Sequence, residues 1–160
     1  MKGSTNLPFT RRITSDAPSD LGSVGGDILP FTAAAALNIG DAVYISAADT
    51  VAKSNTPANY QKFAGIVVGG KATYNQVGTL STDVGVAAAA TGEIVLVQRS
   101  GKAWVVADAA IVAGALLTQG ATTAGRVDDS ASATQGQIIG LALQAATNAA
   151  DKLQMLIGHR

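Results

Sequence analysis

The chain has 160 residues, 48% of them hydrophobic, but 31 are alanine and only 4% are aromatic, so its core must be built from small side chains. Eleven Lys and Arg balance eleven Asp and Glu, which removes the basic footprint expected of a general nucleic-acid binder. Cysteine is absent and His159 is the single histidine, which excludes disulfides and cysteine nucleophiles and leaves neutral-pH acid–base chemistry without its usual agent.

The first twelve residues carry charges before any apolar stretch of signal-peptide length, so export by that route is not expected. Pro8, Pro18 and Pro30 fall among Ser, Thr, Asp and Gly, a composition with too little apolar surface to order itself. We therefore expect an N-terminal arm over 1–26, ending in the flexible joint Leu21–Gly26, and a β-rich domain over 27–160. Asp27–Phe31 is the first segment able to bury side chains.

Beyond it, short Val-, Ile- and Leu-rich runs alternate with Gly, Asn, Asp and Ser clusters about every ten residues, the pattern of an all-β barrel or sandwich. The expected strands are Ala42–Ser46, Val51–Lys53, Phe63–Val68, Val84–Ala88, Glu93–Arg99, Ala103–Val106, Leu116–Gln119, Ile138–Gln144 and Lys152–Ile157. In the last, Leu153, Met155 and Ile157 share one face. Arg99–Lys102 reads as a tight hairpin and Asn148–Asp151 as the turn that returns the final strand. The alanine quartets at 33–36 and 87–90, and Asp108–Gly114, have the local signals of short helices. The longest apolar segment, Ala103–Leu117, is broken by Asp108 and falls short of the roughly 20 residues of a bilayer span, so a soluble protein without membrane partners is expected.

A faint internal repeat runs through the domain. Leu37–Tyr44 aligns with Ile111–Thr118, and Phe63–Val68 with Ile138–Leu143, at offsets of 74 residues (Gly40 to Gly114) and 75 residues (Gly65 to Gly140). Two similar half-barrels are implied, each with a glycine bend entering a strand and a second glycine inside a later strand.

The sharpest catalytic-looking match is Gly65–Ala72, which satisfies G-x-x-x-x-G-K of a phosphate loop but ends in Ala72, with no hydroxyl for magnesium. Its strand-like Ile66-Val67-Val68 and the lack of a following amphipathic helix favour a glycine bend ending a strand. Glu93, the sole glutamate, opens a strand run and is expected to face solvent; Asp128-Asp129 lacks calcium-loop spacing and reads as a solvated turn. His159 stands next to the terminus, without partners for a metal site or a serine triad. No catalytic, cofactor or metal residues are assigned. Arg11 and Arg12, with Lys2, are offset by Asp16, Asp20 and Asp27, so no nucleic-acid partner is expected. Trp104 and Tyr44, Tyr60 and Tyr74 are dispersed without basic neighbours, which favours core or subunit-interface packing; Tyr44 and Trp104 are the candidate oligomer contacts.

From Phe31 to Ile157 the order of features resembles the decoration, or capsid cement, proteins of tailed bacteriophages. The residues that carry the resemblance are Ala36–Tyr44, Phe63–Val67, Gly92–Val97 with Gly101–Val105, and Gly136–Ala142. It implies a small β-rich domain, commonly trimeric, bound through the major capsid protein to the outer head surface of the virion after synthesis in the host cytoplasm, and without catalysis. Neutral charge and an arm that needs a partner to order agree with an assembly protein. Other readings are a tail or fibre component, a carbohydrate-binding β domain and, last, a hydrolase. Leu7, Phe9 and Ile13 fall at roughly alternate positions and Pro8 favours extended backbone, so Leu7, Pro8, Phe9, Arg11, Arg12 and Ile13 form the expected capsid-docking segment.

Overall fold

The β-branched and leucine-rich runs fold into twelve strands among the residues that the computed structural model describes, 27–56, 59, 62–73, 80–129 and 137–158. In chain order these are β1 (Ile28–Ala33), β2 (Leu37–Asn38), β3 (Ala42–Ala47), β4 (Thr50–Lys53), β5 (Phe63–Gly70), β6 (Ala87–Ala89), β7 (Ile94–Gln98), β8 (Gly101–Val106), β9 (Leu116–Gln119), β10 (Val127–Asp129), β11 (Gly140–Ala142) and β12 (Lys152–Ile157). The arm over 1–26, with every residue of the expected docking segment, lies outside the described residues, as do Tyr60, Tyr74 and His159.

Strands β1, β4, β3, β5 and β7 close a barrel in that order. Its one parallel ladder pairs Thr32 and Ala33 of β1 with Thr50 and Val51 of β4, and the other ladders are antiparallel. The second sheet has the order β10-β9-β11-β12-β8, and a parallel bridge from Ala107 to Val127 brings its two edges together. Strand for strand, β8, β10, β9, β11 and β12 repeat β1, β4, β3, β5 and β7. The small pairs repeat as well: Leu37 opposite Ala89 corresponds to Ile111 opposite Ala146.

Loops follow the same plan. In Ala90–Glu93 the Glu93 carboxylate accepts the Ala90 N–H at 3.0 Å, and in Asn148–Asp151 the Asp151 carboxylate accepts the Asn148 N–H at 2.9 Å. The third residues, Gly92 and Ala150, both have positive φ, at 80° and 71°. Each donates its N–H to the end of its barrel's first strand, Gly92 to Ala33 O at 2.7 Å and Ala150 to Ala107 O at 2.9 Å. The repeat read from the sequence is therefore a structural one: the first copy is a closed barrel, and the second is a five-stranded sheet in the same strand order whose edges meet at the Ala107–Val127 bridge, called the second barrel below.

The cores are filled by small and branched side chains. Leu37, Val43, Val51, Val67, Val95 and Val97 are buried in the first barrel, and Val105, Leu117, Leu153 and Met155 in the second. The barrels meet through an outer row of the first. Ala42, Ile66 and Gln98 stand side by side across β3, β5 and β7. All three are buried, and Ala42 and Ile66, with Phe63, pack into the apolar cluster of the second barrel. The joint is sealed by main-chain bonds from Ala42 N–H to Gly125 O at 2.7 Å and from Gly125 N–H to Ser54 O at 2.6 Å. The Ser54 hydroxyl also bonds the buried Gln119 amide oxygen.

Several local expectations give way to these long-range pairings. Arg99–Lys102 is no hairpin: β7 has both edges occupied by β1 and β5, so β8 pairs with β12 and the segment is the link between barrels. Gln98 holds that link by donating its amide to Ser100 O at 2.7 Å and Lys102 O at 2.9 Å. The alanine quartets form no helix: Ala33 ends β1, Ala34 and Ala35 form a bend after it, and Ala87–Ala89 are β6, because strand partners outweigh the modest helix propensity of four alanines. Asp108–Gly114 contains the Ile111 bridge rather than a helical turn. Asp128 and Asp129 belong to β10, antiparallel to Thr118 and Leu117. Val84–Ala88 is replaced by a 3-10 turn, Ser81–Asp83, followed by β6, and Ile138–Gln144 shortens to β11.

Candidate docking surfaces

The phosphate-loop match is built into the sheet. Gly65 to Gly70 lie within β5, paired to β3 and β7, and only Lys71–Thr73 leaves the strand, as one 3-10 turn. Lys71 reaches the Glu93 carboxylate at 2.8 Å. That bond, with the Ala90 N–H, holds the Glu93 carboxyl below its ordinary range, and the same contact raises the Lys71 ammonium. Glu93 thus braces a turn and an ion pair rather than facing solvent alone.

Other acidic groups are used in the same way. Asp41 is pushed up by burial, against the opposing effects of the Asn38 N–H at 2.7 Å and of Lys53 at 3.0 Å. Asp108 accepts the Thr122 and Thr123 N–H groups at 2.8 and 3.1 Å and so fastens the β9–β10 loop. Asp128 is raised, chiefly by burial. Among the described residues, no group of three or more His, Cys, Asp or Glu is placed to hold a metal ion, and no helix is long and apolar enough to cross a membrane.

The two candidate contact aromatics lie on different barrels. Tyr44 is half-buried on β3 opposite Phe63, beside the joint, and Trp104 is half-buried on β8 opposite Gln154.

Apolar surface is instead concentrated at places that composition alone does not mark. Ile94 is 52% exposed and lines a groove of ≈ 370 Å³ with Leu96, Gly70 and Lys71. On the second barrel, Leu116, Leu141 and Leu156 stand side by side across β9, β11 and β12, half-buried to exposed, and Val112 nearby is 73% exposed. The signal that could have found this row is the repeat itself, which places Leu116 and Leu141 where the first copy has Ala42 and Ile66.

Comparison with solved structures finds a similar fold in the crystal structure of the head fiber gp8.5 N base of bacteriophage phi29, with a TM-score of 0.50 at 14% identity. The match covers 82% of this chain and 93% of that one, and at this identity the likeness is one of fold. Comparison with curated proteins finds no match. Residues 13–156 match the family model described as structural cement protein (E217 gp24/Pam3 gp6), a span that takes in both barrels and the joint. The chain belongs to the phage structural cement protein family.

Proposed function

We propose that the chain seats on the outer surface of a phage head shell, contacts the major capsid protein across subunit boundaries and stabilises the assembled shell without catalysis. The observation that carries this reading is the family match over 13–156. The surface supports it in part, because Asp41, Glu93, Asp108 and Asp151 are each engaged in a turn or an ion pair, and exposed apolar side chains such as Ile94, Val112 and Leu156 are left for contact with a partner. A ligand that binds only the intact shell shifts the equilibrium away from disassembly in proportion to the logarithm of its concentration over its Kd.

The working unit is a trimer, and the arm supplies the docking segment through Leu7, Pro8, Phe9, Arg11, Arg12 and Ile13. Three arms on one oligomer raise avidity by about 10²–10⁴ over one arm. The test mixes purified chain with undecorated cognate heads and images them. Regular density on the outer face, with release of packaged DNA moved to higher temperature, is expected. Density confined to the tail or to fibres, or none at all, overturns the reading in favour of another virion module.

A further inference from the structure

We infer that the second barrel docks onto the first barrel of another copy, head to tail, using the row Leu116, Leu141 and Leu156. This deepens the proposed oligomeric state and rests on it.

The argument starts from the joint inside one chain. There the outer row Ala42–Ile66–Gln98 of the first barrel covers one end of the second, the end marked by the β9–β10 loop with Gly125. Because the barrels are repeats, each half of that joint has a counterpart left over. The counterpart of the covering row is Leu116–Leu141–Leu156, in the same register and on the same outer side. It is more apolar than the original, since leucine replaces Ala42 and Gln98, and among the described residues it covers no other barrel.

The counterpart of the covered end is the end of the first barrel at the β3–β4 turn. Its inward positions carry Leu29, Phe31 and Ile45. Leu29 is 39% exposed, whereas Ala103, its equivalent in the covered barrel, is 5% exposed. Asp49, with φ at 48°, holds the place of Gly125, with φ at 86°; Asp49 is exposed and Gly125 is buried. The pairing across the joint is also kept in exchanged form. Inside the chain, Asp41 lies against Gly125; in the leftover pair, Ala115 replaces Asp41 and Asp49 replaces Gly125, so one carboxylate again meets one small residue.

A face and an end that differ make a heterologous contact, which closes into a ring when the rotation between copies permits. A second copy of this chain therefore satisfies both leftover surfaces at once.

The absence of cysteine makes the test clean. Full-length chains carrying Leu29→Cys alone and Leu141→Cys alone are mixed in solution without heads and treated with a short bismaleimide. The mixture is expected to give a cross-linked dimer that neither variant gives by itself. Cross-linking of the Leu141→Cys chain to itself would mean a symmetric contact and would overturn the inference. So would a mixture that stays uncross-linked; recovery of the dimer only after residues 1–26 are removed would then assign the end of the first barrel to the arm.

A second variant, Leu141→Asp, checked for retained strand content by circular dichroism, is expected to weaken self-association roughly 100-fold in sedimentation velocity. Unchanged association overturns the inference. Neither readout uses heads, so failure here leaves head binding separately testable.

Discussion

Ile66 and Leu141 hold the same place in the two barrels, each one residue after a glycine, Ile66 paired to Gln98 at the end of β7 and Leu141 to Leu156 in β12, yet Ile66 is fully buried and Leu141 is not. The difference comes from the joint, which covers one and leaves the other. Ile66→Ala should cost about 2–5 kcal/mol, the usual range for truncating a buried isoleucine. Leu141→Ala should cost less, about 1–2 kcal/mol in the monomer, because part of its side chain still faces water there. Urea unfolding at a concentration where the chain is monomeric checks both. Equal losses would mean that the two rows are equally covered.

Gly65 and Gly140 mark the same close approach in both repeats. A Cβ on Gly65 would collide with the Gln98 carbonyl, and one on Gly140 would stand 2.5 Å from the Leu156 carbonyl oxygen. Gly65 also has φ at 146°. Gly65→Ala is expected to cost roughly 2–5 kcal/mol, combining overpacking with backbone strain. Gly140→Ala has only the steric part, roughly 1–3 kcal/mol. Gly85→Ala, with φ at 91° and open space around it, should lose about 1–2 kcal/mol from strain alone. Thermal unfolding of the three variants ranks them, and a Gly85 variant worse than Gly65 would refute the packing account.

Glu93 and Asp151 are equivalent turn carboxylates, and both are held below their ordinary range. For Asp151 the cause is the Asn148 N–H, followed by the Thr147 hydroxyl and N–H; for Glu93 it is Lys71, followed by the Ala90 N–H. In the window between folded and unfolded values the unfolded chain binds more protons, so stability is present above the ordinary carboxylate range and is lost as pH falls through the depressed folded value. Asp41 has the opposite sign: its raised value gives stability at low pH that is lost as pH rises through it. Asp151→Asn should flatten the acid-side loss, and Asp41→Asn should flatten the opposing trend. Unfolding midpoints between pH about 3 and 7 show whether the slopes change in these directions.

Magnesium-ATP is expected to give a flat calorimetric titration. A phosphate loop needs consecutive free N–H groups, whereas Ile66, Val67, Gly69 and Gly70 have strand partners on β7 and the Gly70 N–H bonds the Thr73 hydroxyl at 2.9 Å. Micromolar binding abolished by Lys71→Ala would show that the strand opens to admit phosphate.

The strand content was legible because Val- and Leu-rich runs bounded by turn residues carry their own signal; Leu116–Gln119 and Lys152–Ile157 coincide with β9 and β12. The paired glycines gave the repeat, since few residues other than glycine fit against a neighbouring backbone carbonyl. Connectivity was less accessible. Nothing local in Arg99–Lys102 reports that β7 already has two neighbours, and nothing in Asp128-Asp129 reports that Thr118 and Leu117 lie alongside. The apolar row Leu116–Leu141–Leu156 was hidden for the same reason, as its residues come from three strands and look like ordinary core positions until the outward side of each is known.

Removal of residues 1–26 is the decisive experiment for the arm. The described fold begins at β1, whose Ile28 pairs with Gln98, and the Asp27 carbonyl accepts the Arg99 N–H at 2.7 Å, so a chain starting at Asp27 retains the first ladder of the barrel. It should keep its strand signal in circular dichroism. Binding to undecorated heads should fall by about 10² or more if the arms supply the multivalent contact, because each lost arm removes an avidity factor as well as its own contacts. An extended segment docks by main-chain hydrogen bonds along a strand edge, with alternate side chains filling pockets. Leu7→Asp and Phe9→Asp in the full chain should therefore weaken binding more than Arg11→Ala or Arg12→Ala, whose effect should shrink as salt is raised. If the chain starting at Asp27 protects heads as well as the full chain does, docking must come from the barrels, and the groove beside Ile94 and Leu96 becomes the next surface to mutate.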